Sequence, residues 1–128
     1  MILKTITNPK ISKLIKQIHE VEVPPLCPKT ENPIKGSTLT IAYTPKEELL
    51  EVYSLNEYVA SFIGSNEVRD LELLTQVVAR DCQNVLGVKV SVIGKFILNI
   101  GQTLICECES KSSNLIGLAT GGRDGSCY

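Results

Sequence analysis

A chain of 128 residues with 43% hydrophobic and 21% charged residues is the right size for one domain with a core of its own. Two phenylalanines, four tyrosines and no tryptophan make that core mainly aliphatic, and a formal net charge of -1 supplies no global attraction to nucleic acid; an RNA partner would require a local basic patch. No apolar run approaches the ~20 residues of a membrane span, and the start M-I-L-K-T-I-T-N lacks a signal peptide's apolar region, which reads as a cytoplasmic protein with no membrane partner.

Met1 to Thr7 reads as a short strand or a lead-in. Ile11, Leu14, Ile15 and Ile18 recur at i, i+3, i+4 and i+7, which predicts one helical face. Lys10, Lys13 and Lys16 lie mostly off that face and Lys4 precedes them, forming either a solvated surface or a small phosphate-contacting patch. His19 to Val23 alternates polar and apolar and reads as a strand feeding V-P-P-L-C-P. Prolines 24, 25 and 28 fix φ and remove backbone donors, so neither a helix nor a central strand passes through Cys27. A cysteine inside a strand packs as a small hydrophobe, whereas one on a rigid, donor-poor loop is placed to be reached by a small molecule.

Gly36 ends this loop, and Ser37 to Tyr43 then puts Leu39, Ile41 and Tyr43 on one side of a strand and Thr38, Thr40 and Ala42 on the other. Thr44-Pro45-Lys46 signals a turn, Leu49 to Leu55 reads as the returning strand of a hairpin, and Asn56 to Ile63 as a short helical piece. After the break at Gly64, Ser65 or Asn66 is expected to cap the next helix, with Glu67 in its first turn. Val68, Leu71, Leu74, Val78, Cys82 and Val85 mark that helix, and Gly87 stops it. Val88 to Leu98 is a β-branched run with Gly94 marking a bulge, Asn99-Ile100-Gly101 is a turn, and Gln102 to Glu109 alternates again. The order defines an α+β domain over residues 1–109. Residues 110–128 read as a flexible C-terminal tail, whose G-x-x-G spacing follows no strand and opens no helix and so makes no phosphate loop.

Five cysteines (Cys27, Cys82, Cys106, Cys108 and Cys127) with no C-x-x-C pair, and a single histidine at His19, offer no zinc-ligand set. Cys106 and Cys108 fall on the same side of a strand, where a disulfide between them would be strained. All but Cys27 read as small packing residues or incidental thiols.

The run C-P-K-T-E-N-P from Cys27 to Pro33, the strand after it, and E-V-Y-S-L-N-E-Y-V-A-S-F from Glu51 to Phe62 resemble the nitrile-handling branch of the tunnelling fold. That branch contains the 7-cyano-7-deazaguanine reductases and the short archaeal amidinotransferases that make archaeosine in tRNA. The resemblance spans roughly Val21 to Glu109. It implies a ββααββ unit, an antiparallel sheet with helices on one face, oligomerising into a barrel with sites between subunits. It implies that Cys27 is the nucleophile, because a thiolate adds to the electrophilic carbon of a nitrile to give a thioimide that hydride or ammonia then attacks.

The resemblance also implies base recognition by the run Leu50, Glu51 and Val52 and by the pair Arg69 and Asp70, with Glu72 a rival carboxylate. A carboxylate suits the N–H donors of a guanine-like edge. The plain alternative is that Glu67, Asp70 and Glu72 are first-turn acids stabilising a helix. Two departures matter. The family's proton-transferring aspartate is replaced by Ile34, leaving Glu31, Asp70 and Glu72 as candidate donors. The reductases' cofactor lysines fall on Tyr53 and Asn56, which disfavours NADPH, and no Rossmann fingerprint replaces them. The expectation is therefore an amidinotransferase with no cofactor and no metal, taking tRNA carrying 7-cyano-7-deazaguanine and ammonia. An NADPH-dependent nitrile reductase and a non-catalytic base- or tRNA-binding relative are the alternatives.

Overall fold

A computed structural model of the chain describes residues 2–10, 15–68 and 70–110. Its elements run β1 (Thr5–Thr7), β2 (Gln17–Glu22), β3 (Thr38–Tyr43), β4 (Glu48–Leu50), α1 (Val52–Ala60), α2 (Leu71–Leu86), β5 (Val90–Leu98) and β6 (Gln102–Glu109). β2, β3, β5 and β6 form a four-stranded antiparallel sheet in that order, while β1 and β4 pair separately. Both helices fall between β3 and β5, so the main sheet has the order ββααββ.

Strand alternation decides which face is covered. Leu39, Ile41 and Tyr43 of β3 and Val90, Val92, Phe96 and Leu98 of β5 are buried, and they meet Leu74, Val78 and Cys82 of α2 in one core. Leu104, Cys106 and Cys108 of β6 pack against its edge. The opposite face of the sheet carries Ile18, Ile93 and Ile105, all exposed. Ser110 N–H donates to Val90 O and its hydroxyl accepts from Val90 N–H, so the ladder persists one residue past β6. The rest of the expected tail, 111–128, lies outside the described residues.

Several local expectations are corrected. Of the helical face over 11–18, positions 11–14 lie outside the described residues, but Gln17 to Glu22 is strand β2, and Ile18 pairs with Ala42 and points to the exposed face. Pairing along all of β3 supplies that segment with a hydrogen-bonded partner, and this outweighs a local period of 3.6. Lys10 instead forms an exposed ion pair with Glu47 (2.6 Å). The strand expected over Leu49 to Leu55 is only Glu48–Leu50, and it pairs with β1 rather than folding back on β3. The reason is Glu51: its carboxylate accepts the N–H groups of Tyr53 (2.9 Å) and Ser54 (2.8 Å), which starts α1 at Val52.

Ser65 Oγ accepts the N–H groups of Glu67 and Val68 in a turn, whereas the cap of α2 is Asp70, whose Oδ1 accepts Leu73 N–H at 2.7 Å. Gly87, at φ +70°, closes the helix as expected. Gly94 is not a bulge: it sits in unbroken register between Leu39 and Cys106, and the space above it is filled by the ring of Phe96.

Tyr43 links the main sheet to β4. Its hydroxyl accepts Leu50 N–H (2.9 Å) and lies 3.0 Å from His19 Nε2, whose ring stacks on the phenol with centroids 5.7 Å apart. Burial holds the His19 pKa below its usual 6.5. Between the folded pKa and 6.5 the unfolded chain therefore binds more protons than the folded one, so stability is retained above pH 6.5 and lost as the pH falls below it. Thermal melts from pH 7.5 to 5.5 are expected to show this decline, and His19→Gln to flatten it; an equally steep decline in the variant would assign the effect elsewhere.

Candidate functional site

The loop from Val23 to Ser37 is held at both feet. Val23 N–H donates to Ser37 O, and Ile34 N–H donates to Ile97 O (2.8 Å). Ser37 Oγ donates to Ile34 O and accepts Ile97 N–H, both at 2.8 Å, from a position with no exposure to solvent. Between the feet, Asn32 O accepts both Leu26 N–H (2.9 Å) and Cys27 N–H (3.1 Å), and Cys27 O accepts Glu31 N–H (2.8 Å). This winds residues 27–31 into a tight turn with Cys27 at its start. Thr30 N–H points at Cys27 Sγ, 3.5 Å away. Glu31 takes φ +60°, a left-handed conformation costing a residue with a Cβ on the order of 1 kcal/mol.

Two further segments reach this turn. Gly64 N–H, just beyond α1, donates to Leu26 O (2.9 Å). Asn99, in the β5–β6 turn, donates its N–H to Asn32 Oδ1 (2.8 Å) and its Nδ2 to Thr30 O (2.7 Å), while its Oδ1 accepts Asn32 Nδ2 (3.2 Å). Sequence reading placed Asn99 only as a turn residue. Nothing local marks it, because its partners are 67 and 69 residues away.

Cys27 is buried, with 5% of its surface exposed, and it is disulfide-bonded in this structure. The sequence offered no sign of that bond. Cys82, Cys106 and Cys108 are free thiols. Burial, followed by the charge of Asp81, pushes Cys82 up to about 12. Burial, then Glu72, raises Cys106, and burial raises Cys108. None of these three is poised as a thiolate at neutral pH, so they fit the packing role. Cys127 lies outside the described residues.

The structure divides the other predicted site residues between two ends of the sheet. Asp70 caps α2 at the Cys27 end: α2 returns to β5 at Val90, opposite Tyr43, while Thr75 in its first turns meets Gly94. Asp70 is buried and Glu72 is near enough to raise the Cys106 thiol. Arg69 lies outside the described residues. Leu50, Glu51 and Val52 sit at the other end, beside Tyr43. The six-residue β3 separates these ends by about 17 Å, and the nine-residue α1 runs between them. Leu50 is buried in the core, Val52 is exposed, and both oxygens of Glu51 already accept helix N–H groups. Those bonds, that to Tyr53 first, hold the Glu51 carboxyl below its ordinary range.

Ile34, the residue in the expected aspartate position, is partly buried, with its N–H bonded to Ile97 O. Of the three candidate acids, Glu31 is in the Cys27 turn, Asp70 is engaged as a helix cap, and Glu72 lies toward β6. Among the described residues no cluster of three or more His, Cys, Asp or Glu side chains is arranged to hold a metal, and no helix is long and apolar enough to cross a membrane. No protein-family model matches the chain, and no curated protein matches it.

Proposed function

We propose that the chain is a cysteine-nucleophile enzyme of the tunnelling fold, acting on a nitrile. Within that class we infer an amidinotransferase of the archaeosine-forming kind, cytoplasmic and homo-oligomeric, whose substrate is tRNA carrying 7-cyano-7-deazaguanine. The observation that carries the reading is the Cys27 turn. The sulfur sits on a proline-framed loop with the Thr30 N–H aimed at it, a contact that favours thiolate over thiol once the disulfide is reduced. A reducing compartment supplies that form. The ββααββ order of the main sheet supports the fold assignment.

In the proposed chemistry the Cys27 thiolate adds to the nitrile carbon, and the nitrile nitrogen takes a proton to give a thioimide. Ammonia then adds to the same carbon and the thiolate leaves, yielding a formamidine. Glu31, one turn from Cys27, is the acid placed in the loop itself and takes the proton-transfer role that Ile34 does not fill. The separation of Leu50, Glu51 and Val52 from Cys27 within one chain supports sites between subunits, since a second copy would have to bring that run to the sulfur. Asp70, at the Cys27 end, would serve the same base from its own chain.

Intact-protein mass spectrometry tests this. The reduced chain, incubated with 7-cyano-7-deazaguanine, is expected to gain the mass of one substrate, and Cys27→Ala to gain none. Discharge of the adduct by ammonia supports amidinotransfer, while discharge by NADPH alone supports the reductase. Binding of the base without any adduct would replace both with a non-catalytic binding protein, a reading that Ile34 and the disulfide at Cys27 favour.

A further inference from the structure

We propose that Asn99 is a positioning residue for Cys27, acting through Asn32 and Thr30; this rests on the reading of Cys27 as the nucleophile. The two asparagine amides fix one another's orientation. Asn32 Oδ1 must accept Asn99 N–H, which leaves Asn32 Nδ2 to donate to Asn99 Oδ1, and Asn99 Nδ2 to donate to Thr30 O. Each flip would set a donor against a donor or an acceptor against an acceptor.

The residues Asn99 holds are the ones that hold Cys27. Asn32 O accepts the Cys27 N–H, and the Thr30 N–H is directed at the sulfur. The peptide oxygen of Thr30 is bonded to Asn99, so the plane containing the following N–H, and with it the turn, is tied to the end of the β5–β6 hairpin. Asn32 is buried at 6% exposure, so its amide has little access to replacement water. Prolines stiffen the loop, but they lack the N–H groups needed to pin it to the sheet. The hairpin already holds the foot of the loop through Ile97, and at the turn itself it supplies the anchor through the N–H and side chain of Asn99. The turn that carries Cys27 is thus tied to a residue remote in sequence, whose bonds go to Asn32 and Thr30.

Asn99→Asp is the sharpest test, because it keeps size and the Oδ1 acceptor but replaces the donor to Thr30 O with a second oxygen. Asn99→Ala, which retains the backbone N–H to Asn32 Oδ1, serves if the aspartate variant does not fold. The readout is the pH–rate profile of iodoacetamide alkylation at Cys27 in the reduced native chain, measured by peptide mass spectrometry with Cys106 as internal reference. Release of the turn is expected to raise the plateau rate at Cys27 by about tenfold, the worth of one or two net hydrogen bonds. It should also move the midpoint to higher pH as the Thr30 N–H leaves the sulfur, with Cys106 unchanged. A wild-type profile in both variants, or an equal rise at Cys106, overturns the proposal. Iodoacetamide does not depend on the nitrile, so an altered profile in a chain that forms no adduct with 7-cyano-7-deazaguanine would refute the enzyme reading and leave the positioning role standing.

Discussion

Gly94→Ala is expected to destabilise the chain by about 2 kcal/mol and to lower its melting temperature by roughly 8 °C. A Cβ built on Gly94 falls 2.4 Å from both Cε2 and Cζ of Phe96, and 3.1 Å from Thr75 Oγ1. Neither neighbour yields easily. Phe96 has no exposed surface, and the Thr75 hydroxyl is bonded to Leu71 O at 2.8 Å inside α2. Overpacking of this kind costs about 1–3 kcal/mol. Against it stands the ~0.5–1 kcal/mol that alanine gains over glycine in a strand, because the unfolded chain loses freedom. The clash is the larger effect, so the sign is destabilising. Trimming the ring tests the cause: in the double variant Gly94→Ala, Phe96→Leu the two costs should fall short of additive by at least about 1 kcal/mol. A single variant within ~0.5 kcal/mol of wild type would mean the ring moves aside freely.

Tyr43→Phe is expected to cost about 2 kcal/mol while leaving the hydrophobic packing of the ring in place. The hydroxyl is the acceptor for Leu50 N–H, and both residues are buried, at 3% and 2% exposure. Removing it strands a backbone donor where water cannot enter, and the desolvation penalty of that donor outweighs the net worth of the lost bond. The His19 contact adds less, because the imidazole is only half-buried and can turn to solvent. Urea denaturation gives the magnitude, and amide hydrogen exchange gives the location: Leu50 should lose protection selectively. Unchanged protection at Leu50 would remove the hydroxyl as the tie between β3 and β4.

Much of the architecture was legible where a residue's neighbours in sequence are also its neighbours in space. The alternation over Ser37 to Tyr43, the β-branched run ending at Leu98 and the apolar period from Val68 to Val85 stand as β3, β5 and α2, although α2 begins only at Leu71. The loop at Cys27 was readable for the same reason, since proline acts on its own φ and its own missing donor. Gly87, which must supply a left-handed helix end, was readable as well.

The misses fall where a distant partner decides, or where two local signals compete for the same residues. Local period made residues 11–18 a helix, but a six-residue pairing with β3 makes Gln17 to Glu22 a strand. Leu49 to Leu55 resembled one strand until the Glu51 carboxylate, by capping α1, divided it. Asp70 rather than Ser65 caps α2, a choice between two good capping residues that is made by where the helix must meet the sheet. The candidate site shows the same division. The sequence by itself determined that Cys27 lies on a rigid loop with few donors. Only the tertiary structure decided that Asn99 anchors that loop, that Asp70 shares its end of the sheet, and that Leu50, Glu51 and Val52 do not. Short-range backbone chemistry is written in adjacent residues, whereas a hydrogen bond across 67 positions exists only once the sheet has brought both ends together.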